Sequence, residues 1–153
     1  MFKTVQPQPA LTESDYQELL ELAFQQGTLA ESEKEIILQI ISLDRRTVRE
    51  VMRPRAQMAA IPDDLSMEEM IAAARQHRHR RLPMYDETPD TIVGVLNTRA
   101  LLVDPNVDLA DAIEFPSFVP ETMNLLQLMK SLQRQQRGMA IVLDEFGGTA
   151  GIV

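Results

Sequence analysis

The densest group of chemistry-bearing side chains is Arg75-Gln76-His77-Arg78-His79-Arg80-Arg81, a basic run in a chain whose other charges are mostly acidic. A guanidinium holds phosphate through short, often bidentate, charge-assisted hydrogen bonds, so one reading turns this run toward a phosphate group. The other places it at a solvated helix C-terminus, where cations complement the helix dipole. The residues alone leave both open. His77 and His79 would share one side of an extended segment as metal ligands, but no third ligand is spaced nearby and helical geometry separates them.

Other candidate motifs fail on context. Asp144-Glu145-Phe146-Gly147-Gly148-Thr149 superficially matches an Asp-Phe-Gly step or a phosphate loop, yet it lies between two apolar strands, without Gly-Lys-Ser/Thr and without a following helix. A tight turn is the expectation there. The carboxylate pairs Asp63-Asp64, Glu68-Glu69 and Asp86-Glu87 fall at predicted helix starts or strand ends, where solvation and the helix dipole account for them. Without cysteine there is no thiolate nucleophile, disulfide or Cys-based metal site. No nucleophile, base and orienting group can be assembled, so the chain is read as having no enzymatic activity.

The elements that would position the basic run are set by size and pattern. At 153 residues and 17.3 kDa the chain is one ordinary domain or two very small ones. A formal charge of -8 and a pI near 4.7 repel a nucleic-acid backbone, so no nucleic-acid partner is expected. Apolar runs such as Ala140-Ile141-Val142-Leu143 fall far short of the ~20 residues of a membrane helix, and no signal pattern opens the chain.

Met1 to Ala10 reads as a loose lead-in. Thr12 to Asp15 resembles a capping box opening a helix that ends near Gly27, and a second helix is expected from about Ser32, with Glu35 as box partner, to Leu43. A short helix over Arg46 to Met52 should stop before Pro54. Beyond it the sequence repeats at roughly 57 residues: Ala60-Ile61-Pro62-Asp63-Asp64-Leu65-Ser66 aligns with Phe118-Val119-Pro120-Glu121-Thr122-Met123-Asn124, and Gly94-Val95-Leu96 with Gly151-Ile152-Val153. Each copy reads strand, helix, strand, turn, strand. Met67, Met70, Met123 and Met129 fall at helical spacing and read as core or repeat-interface packing. The first copy continues into Asn97-Thr98-Arg99-Ala100-Leu101-Leu102, a closing helix, whereas the second stops at Val153, so the last repeat reads as truncated.

This tandem unit resembles a pair of CBS domains, the Bateman module. More narrowly, Leu43 to Arg55, Arg81-Leu82-Pro83-Met84-Tyr85, Ile92 to Leu96, Phe118 to Thr122 and above all Met139 to Gly151 resemble the CorC/HlyC-like magnesium and cobalt efflux family. The similarity covers about Leu29 to Val153. It implies an α/β (α+β) fold of two CBS repeats with pseudo-twofold symmetry behind N-terminal helices. The expected spans are 1–52 for linker and helices, 53–114 for the first repeat and 115–153 for the incomplete second.

The resemblance also implies a regulatory adenine nucleotide, ATP or AMP, with magnesium carried through the nucleotide, in the cleft between repeats. Its pattern before the second strand of a repeat is met by His79-Arg80-Arg81-Leu82-Pro83: His79 would lie against adenine or ribose, Arg81 would face phosphate, and Arg80 stands where a small residue is usual. The ribose step would fall on Asn97 and Thr98, but Ala100 replaces its carboxylate. The implied site is thus His79, Arg80, Arg81, Pro83, Asn97 and Thr98. Implied partners are a second copy in a homodimer and the membrane domain of a parent transporter, placing the module on the cytosolic side of an inner membrane. A ligand-free dimerisation module is the alternative.

Overall fold

The computed structural model describes residues 11–104 and 106–153, and the lead-in expected over Met1 to Ala10 lies outside them. The chain divides into two compact units, one ending at Leu43 and one beginning at Asp44.

The first unit is a pair of helices, α1 (Glu13–Gln25) and α2 (Glu31–Leu43). Thr12 and Asp15 form the expected capping box, with the Asp15 carboxylate accepting from the Thr12 N–H at 2.6 Å. Gly27, at φ 70°, turns the chain after α1. The second helix starts a residue before the expected Ser32, and its reaching carboxylate is Glu33, not Glu35: Ala30 N–H donates to Glu33 at 2.9 Å. Lys34 ties the pair, 2.8 Å from Glu21 and 4.5 Å from the Phe24 ring centroid. No residue of α2 is fully buried. No described helix is long and apolar enough to cross a membrane.

The second unit holds both repeats. It opens with α3 (Val48–Val51), β1 (Arg53–Pro54) and a short 3-10 turn (Arg55–Gln57). The first repeat follows as β2 (Ile61–Pro62), α4 (Met67–His77), β3 (Arg81–Tyr85), β4 (Ile92–Asn97) and α5 (Thr98–Val103). Next come α6 (Leu109–Ala112) and β5 (Ile113–Glu114), then the second repeat as β6 (Phe118–Pro120), α7 (Leu125–Gln135), β7 (Ile141–Leu143) and β8 (Thr149–Ile152). The α/β class is as expected. The short helix expected from Arg46 begins at Val48, because Thr47 takes the capping position and its N–H donates to Glu50 at 2.9 Å.

Two four-stranded sheets form, in the orders β2-β3-β4-β5 and β1-β8-β7-β6. In each, a parallel pair (β2 with β3, β6 with β7) joins an antiparallel one (β3 with β4, β7 with β8), and the register shifts at the matching place, Met84/Tyr85 and Val142/Leu143. The fourth strand of each sheet is exchanged. β1 precedes the first repeat yet pairs with β8, while β5 precedes the second repeat yet pairs with β4. The segment before β1 follows it: Val48 N–H donates to the Met123 carbonyl at 2.8 Å and Leu125 N–H to that of Arg46 at 2.9 Å. The helix grouped on sequence with the N-terminal pair therefore belongs to the repeat unit.

Amphipathic helices cover these sheets. Ser66 and Glu69 cap α4 reciprocally, and Met70 and Ala74 are its buried residues. Asn124 caps α7, which buries Leu125 and Leu128. Met70 packs with Ile61, Leu82, Met84, Leu96, Leu101 and Ala112 in one apolar cluster. Met67 and Met123 are half-buried. The packing expectation is corrected for Met129, which is 54% exposed: α7 turns Leu125 and Leu128 inward and leaves Met129 at the edge of that stripe. Asp144 to Thr149 is the tight turn expected between β7 and β8, with the Asp144 carboxylate accepting from the N–H groups of Phe146 and Gly148.

Candidate functional site

Helix α4 ends where Arg78 adopts a left-handed conformation at φ 55°, as does Gln136 (φ 52°) at the end of α7 in the second repeat. The chain then enters β3 through His79 and Arg80. Thr98, only 4% exposed, pins this entry: its hydroxyl donates to the His79 carbonyl at 2.6 Å and its N–H to the Arg80 carbonyl at 3.1 Å. Both bonds fix backbone, leaving the His79 and Arg80 side chains exposed.

These side chains open on a cleft of about 320 Å³. The first repeat contributes His79, Arg80, Arg81 and Ala59; facing them are Gly138, Met139 and Ile152 of the second repeat and Arg53 of the exchanged strand. Arg81 is half-buried, with Nε 3.4 Å from an oxygen of Glu114. The same oxygen lies 3.4 Å from Nη1 of Arg137, and the other carboxylate oxygen accepts from the Asn97 amide at 3.4 Å. Arg53 and Arg80 make no ion pair among the described residues, so the cleft keeps net positive potential.

Of the six residues singled out by resemblance, His79, Arg80 and Arg81 come together on this cleft. Pro83 does not line it; it is buried within β3, opposite Val95. Asn97 caps α5, accepting from Ala100 N–H at 3.3 Å, and Thr98 anchors the backbone described above. The basic run is shared with a second cavity of about 510 Å³, where Arg75, Arg78, Arg80 and Arg99 surround Leu102. Among the described residues no His, Cys, Asp or Glu cluster is placed to hold a metal, His77 and His79 included.

Arg53, Gly138, Met139 and Glu114 escaped the sequence reading. A signal for two of them was present: Thr47 to Pro54 and Asp108 to Pro116 are a second internal repeat, each a capped helical turn leading into a two-residue strand. Their registers place Arg53 opposite Ile152 and Glu114 opposite Val95, equivalent positions of the two sheets.

Paired strand-helix-strand-strand units around such a cleft define a tandem CBS module. The CBS domain family matches residues 48–104 directly. A solved CBS domain of the bacterial CNNM/CorC family Mg2+ transporter is 40% identical and superposes with a TM-score of 0.81 over 94% of this chain and 90% of that one. A CBS domain of that transporter family in complex with ATP is 43% identical, with a TM-score of 0.72 over 80% of this chain and 90% of that one. Hemolysin C of Brachyspira hyodysenteriae is 39% identical over 129 residues, 83% of this chain and 48% of the relative, so the chain spans about half that protein's length. The chain belongs to the CBS domains of the CNNM/CorC (CorC/HlyC-like) family.

Proposed function

We propose that the 320 Å³ cleft binds an adenine nucleotide, ATP or AMP, and that the module regulates a divalent-cation transporter, for magnesium or cobalt, to which it is joined. The observation that carries this reading is the convergence of Arg53, Arg80, Arg81 and His79 on one cleft in a chain of net charge -8. Guanidiniums facing a shared space, two of them (Arg53 and Arg80) without an ion pair among the described residues, suit a polyphosphate. The ATP complex of a 43% identical CBS domain supports the choice of ligand. With no metal cluster among the described residues, magnesium enters this reading through the nucleotide's phosphates. The module binds without turnover, and works on the cytosolic face of the membrane that holds its transporter.

Arg81 faces phosphate in this reading. Titration calorimetry with ATP, ADP and AMP, with and without magnesium, tests it, and Arg81→Ala should weaken ATP binding by about one to two decades while changing adenosine binding little. Equal losses for both would assign Arg81 to folding or base stacking. Hydrolysis of ATP by the chain would overturn binding without turnover.

A second reading, a ligand-free dimerisation module, draws on two observations: Arg81 is already engaged by Glu114, and Ala100 offers no carboxylate to a ribose. The exposed Met129 on α7 supplies apolar surface for a homodimer under either reading. A sedimenting dimer without any nucleotide affinity would favour the second.

A further inference from the structure

We infer that Glu114 is the internal counter-anion of the cleft, competing with a ligand's phosphate for Arg81 and thereby setting how strongly the cleft takes polyphosphates. The inference deepens the nucleotide reading and rests on it for the ligand's identity, but not for the ligand's charge.

The geometry is that of a replaceable partner. One Glu114 oxygen is 3.4 Å from both Arg81 and Arg137, and the side chains of Arg81 and Glu114 are each 20% exposed. Tight charge-assisted contacts between nitrogen and carboxylate run at about 2.7–2.9 Å, so these are loose. Two guanidiniums share a single carboxylate, leaving one positive charge uncompensated. The site is partly desolvated, so each charge is felt more strongly there than on the open surface. A phosphate approaching Arg81 must share it with Glu114, at the cost of like-charge repulsion, or displace the carboxylate.

The exchanged strands supply a second, independent observation. Glu114 stands opposite Val95 and Arg53 opposite Ile152, so equivalent places in the two sheets carry opposite charges. Arg53 has no ion pair among the described residues, whereas Arg81 is held. The guanidiniums of the cleft are therefore unequal, and a ligand's negative end is drawn first to Arg53 and Arg80, which have no carboxylate partner among the described residues. Access to Arg81 is controlled by Glu114. Because the opposition is charge on charge, it grows with the charge of the ligand: triphosphate is held back more than monophosphate, and a nucleoside not at all.

The test is Glu114→Gln, which keeps the side-chain size and an acceptor oxygen but removes the charge. Calorimetry of the full chain with ATP, AMP, adenosine and inorganic tripolyphosphate should show ATP and tripolyphosphate binding about tenfold tighter, AMP less improved and adenosine unchanged. Added to Arg81→Ala, the same substitution should bring a clearly smaller gain, because only the direct repulsion of the ligand by Glu114 is left to relieve. If wild type takes no ATP yet Glu114→Gln raises tripolyphosphate affinity, the counter-anion role stands and the adenine reading falls. If ATP binds and Glu114→Gln leaves both polyphosphates unchanged, the nucleotide reading stands and the counter-anion role falls. Weaker binding in Glu114→Gln would make Glu114 an aligner of Arg81, and an undiminished gain without Arg81 would remove Arg81 from the competition; either overturns the inference.

Discussion

The space beside Gly138 is taken by Arg81: a Cβ built on that glycine would lie 2.7 Å from Nη1 and 3.1 Å from Cζ of the guanidinium. Its counterpart in the first repeat is Arg80, counted from the helix ends at Arg78 and Gln136. One repeat thus supplies the charge and the other the room for it.

Gly138→Ala should therefore act on binding and hardly on folding. The atoms that must move are the far end of a flexible side chain, and the glycine needs no left-handed backbone. The urea midpoint should stay within error of wild type while polyphosphate affinity changes several-fold and adenosine affinity does not. A large loss of stability would show that Arg81 is locked in place rather than adjustable.

Gly94 and Gly151 are equivalent glycines with different neighbours. A Cβ on Gly151 would collide with the backbone of the exchanged strand, meeting the Arg53 carbonyl carbon at 3.0 Å and Pro54 Cα at 3.2 Å. On Gly94 the nearest atom is a side-chain methyl of Ile113, at 3.0 Å, which can rotate or shift. Gly151→Ala should cost about 2–3 kcal/mol, near the upper end for overpacking, and Gly94→Ala about 1 kcal/mol. Urea unfolding of the two variants checks the order. Because β1 carries Arg53, Gly151→Ala should also weaken polyphosphate binding at temperatures where the variant is folded.

Much of this was legible because it is local or repeated. Ser66 and Glu69 announce a helix start by their spacing, and the parallel runs around Ile61 and Val119 announce two copies of one unit. Charge alone left the basic run open between a phosphate site and a solvated helix end, and it was the family pattern that singled out His79, Arg80 and Arg81, which line the cleft. What was not legible was topology. Nothing near Arg53 says that its strand pairs with Ile152, about 100 residues on, because strand exchange is decided by which sheet edge lacks a partner. Thr98 shows the other limit: a threonine at a ligand-like position spends its hydroxyl on the His79 carbonyl, a choice visible only once the two segments meet.

Acid should loosen the capped helices first. Hydrogen bonds from the Ser66 side chain and then its N–H hold the Glu69 carboxyl below the ordinary glutamate value. Glu50 at Thr47 and Asp15 at Thr12 are lowered in the same way. A carboxyl whose folded pKa is depressed contributes stability that is full above its unfolded pKa and is lost as pH falls through the folded value. Glu69→Gln should therefore lower stability slightly at pH 7 and flatten its decline below about pH 4.5, the ordinary value for the group. Urea midpoints between pH 7 and pH 3 would decide, and an unchanged slope would place the acid sensitivity elsewhere.

Asp144 offers the sharpest separation of architecture from chemistry. Its carboxylate accepts from Phe146 N–H at 2.9 Å and Gly148 N–H at 2.8 Å, its own N–H donates to the Gly148 carbonyl at 2.9 Å, and Gly147 sits at φ 83°. These bonds close the β7–β8 turn and set the pairing of Leu143 with Thr149. Asp144→Ala removes two hydrogen bonds that close the turn and should cost about 1–2 kcal/mol, whereas Asp144→Asn keeps an acceptor at the same place and should recover most of the loss. Were Asp144 instead a functional carboxylate, both variants would bind polyphosphate equally badly at full stability. Because the turn does not line the cleft, the variants should differ in unfolding midpoint and match wild type in affinity wherever they are folded.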